Sequence, residues 1–189
     1  MSTEISDLLG KAVPVVTALV ARVRDEQLPA VTPCAEFTVR DLLSHLFQVV
    51  RNFQLVADRK EVDWGVTPDS LVGDWRADFA SEAHQMIIAW ADPAVLDGVS
   101  PGMGLPHRTL GLMMVVDLVV HGWDLSRAIG QPYPVDVSLL PAVAEFLDTM
   151  GDMGRKMGAF GPAVPVPADA DRLARLIAGT GRDPAWQPA

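Results

Sequence analysis

The 189-residue chain carries 15 Lys/Arg against 24 Asp/Glu, a formal charge of −9, with 49% hydrophobic and 21% charged residues. That balance suits one globular domain, or one domain with a small appendage, and excludes a disordered or fibrous chain. Acidity without a Lys/Arg run excludes nucleic acid and an anionic membrane surface as partners.

Helical periodicity dominates from the start of the chain. Residues 5–27 place Leu8, Leu9, Val15, Leu19 and Val23 at three- and four-residue spacing, an amphipathic helix in which Pro14 predicts a bend or a later start. A loop over 28–37 holds Pro29 and Pro33. Thr38, followed three residues on by Asp41, predicts a capping box that opens a second helix over 39–60, with Leu42, Leu46, Val49 and Phe53 on its core stripe. Thr67 as N-cap and Pro68 at the first helical position predict a third helix ending at Trp90. Residues 93–107 read as loop by their Pro and Gly content, and a fourth helix over 109–129 stops at Gly130. A fifth helix spans 137–150, residues 160–167 are extended, and a short last helix covers 168–178. The expectation is an all-α four-helix bundle with the fifth helix over 1–150, and an extended segment plus short helix over 151–189 packing on it.

Cys34 is the single cysteine, which rules out an internal disulfide and predicts a reducing compartment. Glu4 and Asp7 stand where a secretory signal needs a basic start. The most apolar stretch, 110–120, is too short for a bilayer and contains Asp117. These features predict a cytoplasmic protein with no membrane partner.

The fourth helix carries the chemistry. It is apolar on nearly every side through Val120, yet holds Asp117 and His121 four residues apart on one face, with Asp124 a turn further on. A buried carboxylate costs several kcal/mol unless it is paired or metal-bound. An Asp117–His121 hydrogen-bonded pair satisfies that need without a metal. His45, at the edge of the stripe formed by Leu42, Val49 and Val56, also faces inward, either as a hydrogen-bonded core residue or as a third ligand. Two imidazoles and one carboxylate from facing helices form an open divalent site. Asp124 is the candidate catalytic residue, orienting His121 or accepting a proton; pairing with Arg127 or Arg40 is the structural alternative. His84 and His107 have polar neighbours and read as surface residues. Cys34 reads as a small buried residue, Trp75, Trp90 and Trp123 as packing, Met113 and Met114 as core filler, and Arg172 and Arg175 as a solvated face.

The stretch from Thr32-Pro33-Cys34 through Phe37-Thr38 and Arg40-Asp41 to His45, with Asp117-x-x-x-His121-Gly122-Trp123-Asp124-Leu125-Ser126-Arg127, resembles the metal-binding domain of actinobacterial mycothiol-dependent maleylpyruvate isomerases. That domain belongs to the DinB-like four-helix superfamily. Residues 161–169 and Gly181-Arg182-Asp183-Pro184 resemble an actinobacterial subgroup of it. The resemblance implies a DinB-like bundle with a divalent metal on His45, Asp117 and His121, zinc first, although nickel, iron and manganese suit the same donors. It implies mycothiol, a low-molecular-weight thiol, as co-substrate of a transferase or isomerase acting on a small electrophile. The isomerase has Glu at the position of Asp117 and a separate C-terminal domain, both of which argue against maleylpyruvate itself. A non-catalytic metal- or ligand-binding bundle and a purely helical interaction protein are the competing classes. An apolar helix exposed on one side would favour a homodimer.

Overall fold

Six α-helices account for nearly all regular structure in the computed structural model, which describes residues 2–65 and 67–188. They are α1 (Glu4–Arg22), α2 (Val39–Ala57), α3 (Trp75–Ala89), α4 (His107–Ala128), α5 (Leu140–Lys156) and α6 (Arg172–Gly179). The fold is an all-α, DinB-like helical bundle. α1 and α2 each pack against both α3 and α4, giving a ring in the order α1–α3–α2–α4. α5 lies on the outer flank of α4, and α6 rests on α5.

Local chemistry sets the helix ends. Thr3 caps α1 through a reciprocal box with Ser6, and its hydroxyl donates to the Trp90 carbonyl at 2.6 Å, tying the start of α1 to the end of α3. α1 runs through Pro14 without a break, although Pro14 has no amide to donate to the Gly10 carbonyl one turn earlier. Thr38 and Asp41 form the capping box at α2. Each such cap contributes about 1 kcal/mol by satisfying backbone N–H groups that have no partner inside the helix.

Several boundaries differ from the sequence expectation. α3 begins at Trp75, not near Thr67, and its cap is Asp74, which accepts from the Ala77 amide. Thr67 instead donates its hydroxyl to Gln48 Oε1 at 2.8 Å, so the 67–70 loop is anchored on α2 rather than coiled into a helix. α4 starts two residues early, at His107, directly after Pro106. α5 begins after a 3-10 turn at Val137–Leu139 and continues to Lys156; α6 starts later, at Arg172, capped by Asp171.

α4 is buried around most of its circumference because α1, α2 and α5 enclose it. It has the length and composition of a membrane span, but 83% of its most apolar window is buried within the protein. Gly111 permits close approach: a Cβ there would lie 2.7 Å from the fully buried Ile5 of α1. Leu42, Leu46, Val49 and Phe53 of α2 are fully buried, each contributing about 1.5–3 kcal/mol by leaving water. His107, expected at the surface, is fully buried, its ring 6.3 Å from that of Trp90. Polar sequence neighbours misled there: the 98–106 loop folds back so that the His107 amide reaches the Gly98 carbonyl, closing the ring off. His84, Arg172 and Arg175 are exposed. Trp75, Trp90 and Trp123 are buried.

Candidate metal centre

α2 and α4 bring three donor side chains together. His45 comes from the first half of α2; Asp117 and His121 come from successive turns of α4, where four-residue spacing stacks side chains on one face. One donor atom from each lies within 4.8 Å of those of the other two. The two imidazoles meet edge to face, ring centroids 4.8 Å apart. Phe37, from the loop before α2, packs 5.4 Å from the His45 ring and 6.3 Å from the His121 ring, an apolar cover on one side. Thr32 shapes that loop by donating to the Phe37 and Cys34 carbonyls, and an isolated bridge between Val31 and Thr38 closes it.

The charge states suit a cation. Burial, with His121 and Arg182 nearby, pushes the His45 imidazole down to about 3 against an opposing hydrogen bond with Gln48, so at neutral pH His45 presents a lone pair. Burial pushes the Asp117 carboxyl up to about 6, opposed by His121 and Arg182. It is therefore ionised at neutral pH at a cost that a bound cation would relieve. Two imidazole nitrogens and one carboxylate oxygen are the donor set of an open divalent site, and donor atoms within 4.8 Å of one another need only small side-chain shifts to reach the ~4 Å that two metal–ligand bonds span. These residues fit a divalent metal.

Asp124 is fully buried and pairs with neither Arg127 nor Arg40. His121 Nδ1 lies 2.9 Å from Asp124 Oδ2, and Arg182 Nε lies 2.9 and 3.0 Å from the two carboxylate oxygens. Burial pushes the Asp124 carboxyl up, but the His121 hydrogen bond and the Arg182 charge outweigh it and hold it below the usual range. An ionised carboxylate only accepts, so the proton between them sits on His121 Nδ1, and Nε2 is the nitrogen left to face a cation. Arg40 instead pairs with Asp69 at the surface, and Arg127 donates to the Pro184 carbonyl.

A second group, Cys34 with His121 and Asp124, also has donor atoms within 4.8 Å of one another. It suits a metal less well. The Arg182 guanidinium already supplies the positive charge at Asp124, and burial pushes the half-buried Cys34 thiol up, keeping it protonated.

Two cavities flank the His45 turn. One, of about 330 Å³, is lined by Glu36, Phe37, Arg40, Asp41, Ser44, Thr67 and Asp69. The other, of about 230 Å³, is lined by Gln48, Arg51, Asn52, Asp63, Pro68 and Ser70. The 62–70 loop borders both, and residues 92–107 border neither.

Sequence reasoning singled out His45, Asp117, His121 and Asp124, which the fold brings together. It missed Phe37, Gln48 and Arg182. Gln48 was within reach of a spacing argument, three residues from His45 on the same helix. Arg182 was not, since its contact with Asp124 spans 58 residues.

A family model described as the mycothiol maleylpyruvate isomerase N-terminal domain matches residues 9–126. Two uncharacterized proteins of Mycobacterium tuberculosis, from strains CDC 1551 / Oshkosh and ATCC 25618 / H37Rv, are each 30% identical over 172 residues, covering 87% of this chain and 92% of theirs. No solved structure matches the chain.

Proposed function

The chain belongs to the mycothiol maleylpyruvate isomerase N-terminal domain family, and we propose that it binds one divalent metal through His45, Asp117 and His121 and works on a small electrophile with a low-molecular-weight thiol. The observation that carries the reading is the convergence of three donors from two helices, with a half-buried carboxylate among them that no Arg or Lys among the described residues neutralises by direct pairing. Zinc is the first choice for two imidazoles and a carboxylate, and the same donors accept nickel, iron or manganese. Mycothiol is the thiol that the family description names, and a transferase or isomerase is the reaction class.

A bound divalent ion would supply a positive charge that favours the thiolate form of an incoming thiol or polarises a substrate oxygen. The protein's own groups prepare for this. Neutral His45 offers a nitrogen lone pair, His121 would supply the second nitrogen, and Asp117 offers the negative charge. Asp124 fixes the His121 tautomer and is the candidate to take a proton relayed through that ring. Phe37 shields the imidazoles from water on one side, and the adjoining cavity of about 330 Å³ has room for a small molecule. The acidic chain, with its apolar helix buried in the bundle, suits a cytoplasmic setting without nucleic-acid or membrane partners.

Elemental analysis of purified wild type and His45→Ala tests the site. The expected result is close to one metal per chain in wild type and little in the variant. Less than about half a metal per wild-type chain, or full retention by His45→Ala, would overturn the assignment. Incubating the metal-loaded protein with mycothiol and small electrophiles, and following conjugates by mass spectrometry, then separates enzyme from binder.

A further inference from the structure

The family match ends at residue 126, yet the most heavily bonded charged pair beside the site uses a residue far beyond it. Arg182 is 7% exposed, and its Nε and Nη2 make three hydrogen bonds of 2.9–3.0 Å to the two oxygens of Asp124. Nη1 turns back to the Thr180 carbonyl at 3.4 Å. Each guanidinium nitrogen thus bonds within the protein, which leaves little of Arg182 to hold an anionic substrate. Its bonds fix both oxygens of a carboxylate whose Oδ2 is also the partner of His121 Nδ1. A guanidinium holds a carboxylate in one plane through paired, parallel bonds, so the direction of Oδ2 toward the imidazole is set from the far side.

The tail is built to deliver this residue. Gly181 has φ +87°, a left-handed conformation that favours glycine, and a Cβ there would meet the Gly161 Cα at 2.5 Å. The extended segment runs antiparallel to the end of α6, with the Gly161 amide on the Thr180 carbonyl and the Val164 amide on the Ala178 carbonyl. Beyond Arg182, the Pro184 carbonyl accepts from Arg127 of α4. Backbone contact at two glycines therefore places the guanidinium one residue later.

We propose that residues 160–184 form a strap whose docking sets the metal affinity of the bundle, with Arg182 as a positioning residue acting through Asp124 on His121. The proposal rests on the metal-site reading above, but its structural half is separable from it. With the strap docked, Asp124 is held as an oriented acceptor and His121 carries its proton on Nδ1. With the strap released, Asp124 is free to turn, and the ring samples the other tautomer, which offers the wrong nitrogen.

The test uses the full chain and its Arg182→Gln, Arg182→Lys and Gly181→Ala variants. Two quantities are read: zinc affinity by chelator competition, and the His121 tautomer in metal-free protein by long-range nitrogen–proton NMR. Arg182→Gln is expected to lose about 10–100-fold in zinc affinity and to shift His121 from the Nδ1–H form toward a mixture. Arg182→Lys should recover part of both, and Gly181→Ala, which keeps the guanidinium but displaces it, should lose in the same direction. Zinc affinity within about twofold of wild type in Arg182→Gln, with the Nδ1–H form kept, overturns the proposal. So does a loss of affinity with an unchanged tautomer, which would mark a general effect on folding. If Arg182→Gln does not fold, Arg182→Lys and Gly181→Ala carry the same two readouts. If wild type binds no zinc, the metal reading fails, and the tautomer shift alone decides whether Arg182 positions His121.

Discussion

Replacing Asp117 by Asn is expected to stabilise the metal-free protein near pH 8 and to leave it unchanged near pH 4. Asn keeps the shape of the side chain and removes its charge. Burial pushes the Asp117 carboxyl from 3.8 to about 6, so the folded state retains a proton that the unfolded chain releases at lower pH. A group shifted upward contributes its stability below its unfolded value and loses it as pH rises through the folded value. The displacement from 3.8 to about 6 is worth about 3 kcal/mol, reduced to about 2 kcal/mol because Asp117 is only partly buried. For a chain of this size that amounts to about 4–8 °C in Tm. His45 moves in the opposite sense, losing stabilisation as pH falls from 6.5 toward about 3, but it is present in both proteins and cancels in the comparison. Thermal and urea unfolding in a chelator, across this pH range, reads the difference directly. Zinc at a hundred times its Kd should then return about 2.7 kcal/mol to wild type and little to the variant. Asp117→Asn no more stable than wild type near pH 8 would refute the reasoning. It would mean that the carboxylate is already satisfied by His121 and that the fold has no need of a cation there.

Metal uptake itself should weaken about tenfold per pH unit below about 6, as Asp117 takes up its proton. Isothermal titration with zinc across this range checks it, and an affinity that stays flat from neutral pH down to about 5 would contradict it. At the α1–α4 contact, Gly111→Ala places a Cβ 2.7–3.0 Å from three side-chain atoms of buried Ile5. That overpacking should cost about 1–3 kcal/mol in urea unfolding, and an unchanged midpoint would show that α1 yields more easily than its packing implies.

Local patterning was enough to identify the elements that matter most for the site. The Thr38–Asp41 box, the core stripe of α2 and the four-residue spacing of Asp117 and His121 are properties of single helices, fixed by 3.6-residue periodicity and capping chemistry. They place His45 inward and put the two α4 donors on one face before any tertiary contact is known. The same local logic misplaced the start of α3, because Thr67 and Pro68 carry a valid cap signal that the hydrogen bond to Gln48 overrides. It also put His107 at the surface, where a loop folded back to bury it. Whether His45 meets His121 depended on α2 packing beside α4, and the partner of Asp124 depended on a tail 58 residues away. Contacts of that kind leave no period in the sequence. The chain by itself therefore determined which helices exist and which faces carry donors; the tertiary structure alone decided that these faces converge and that Arg182 stands behind them.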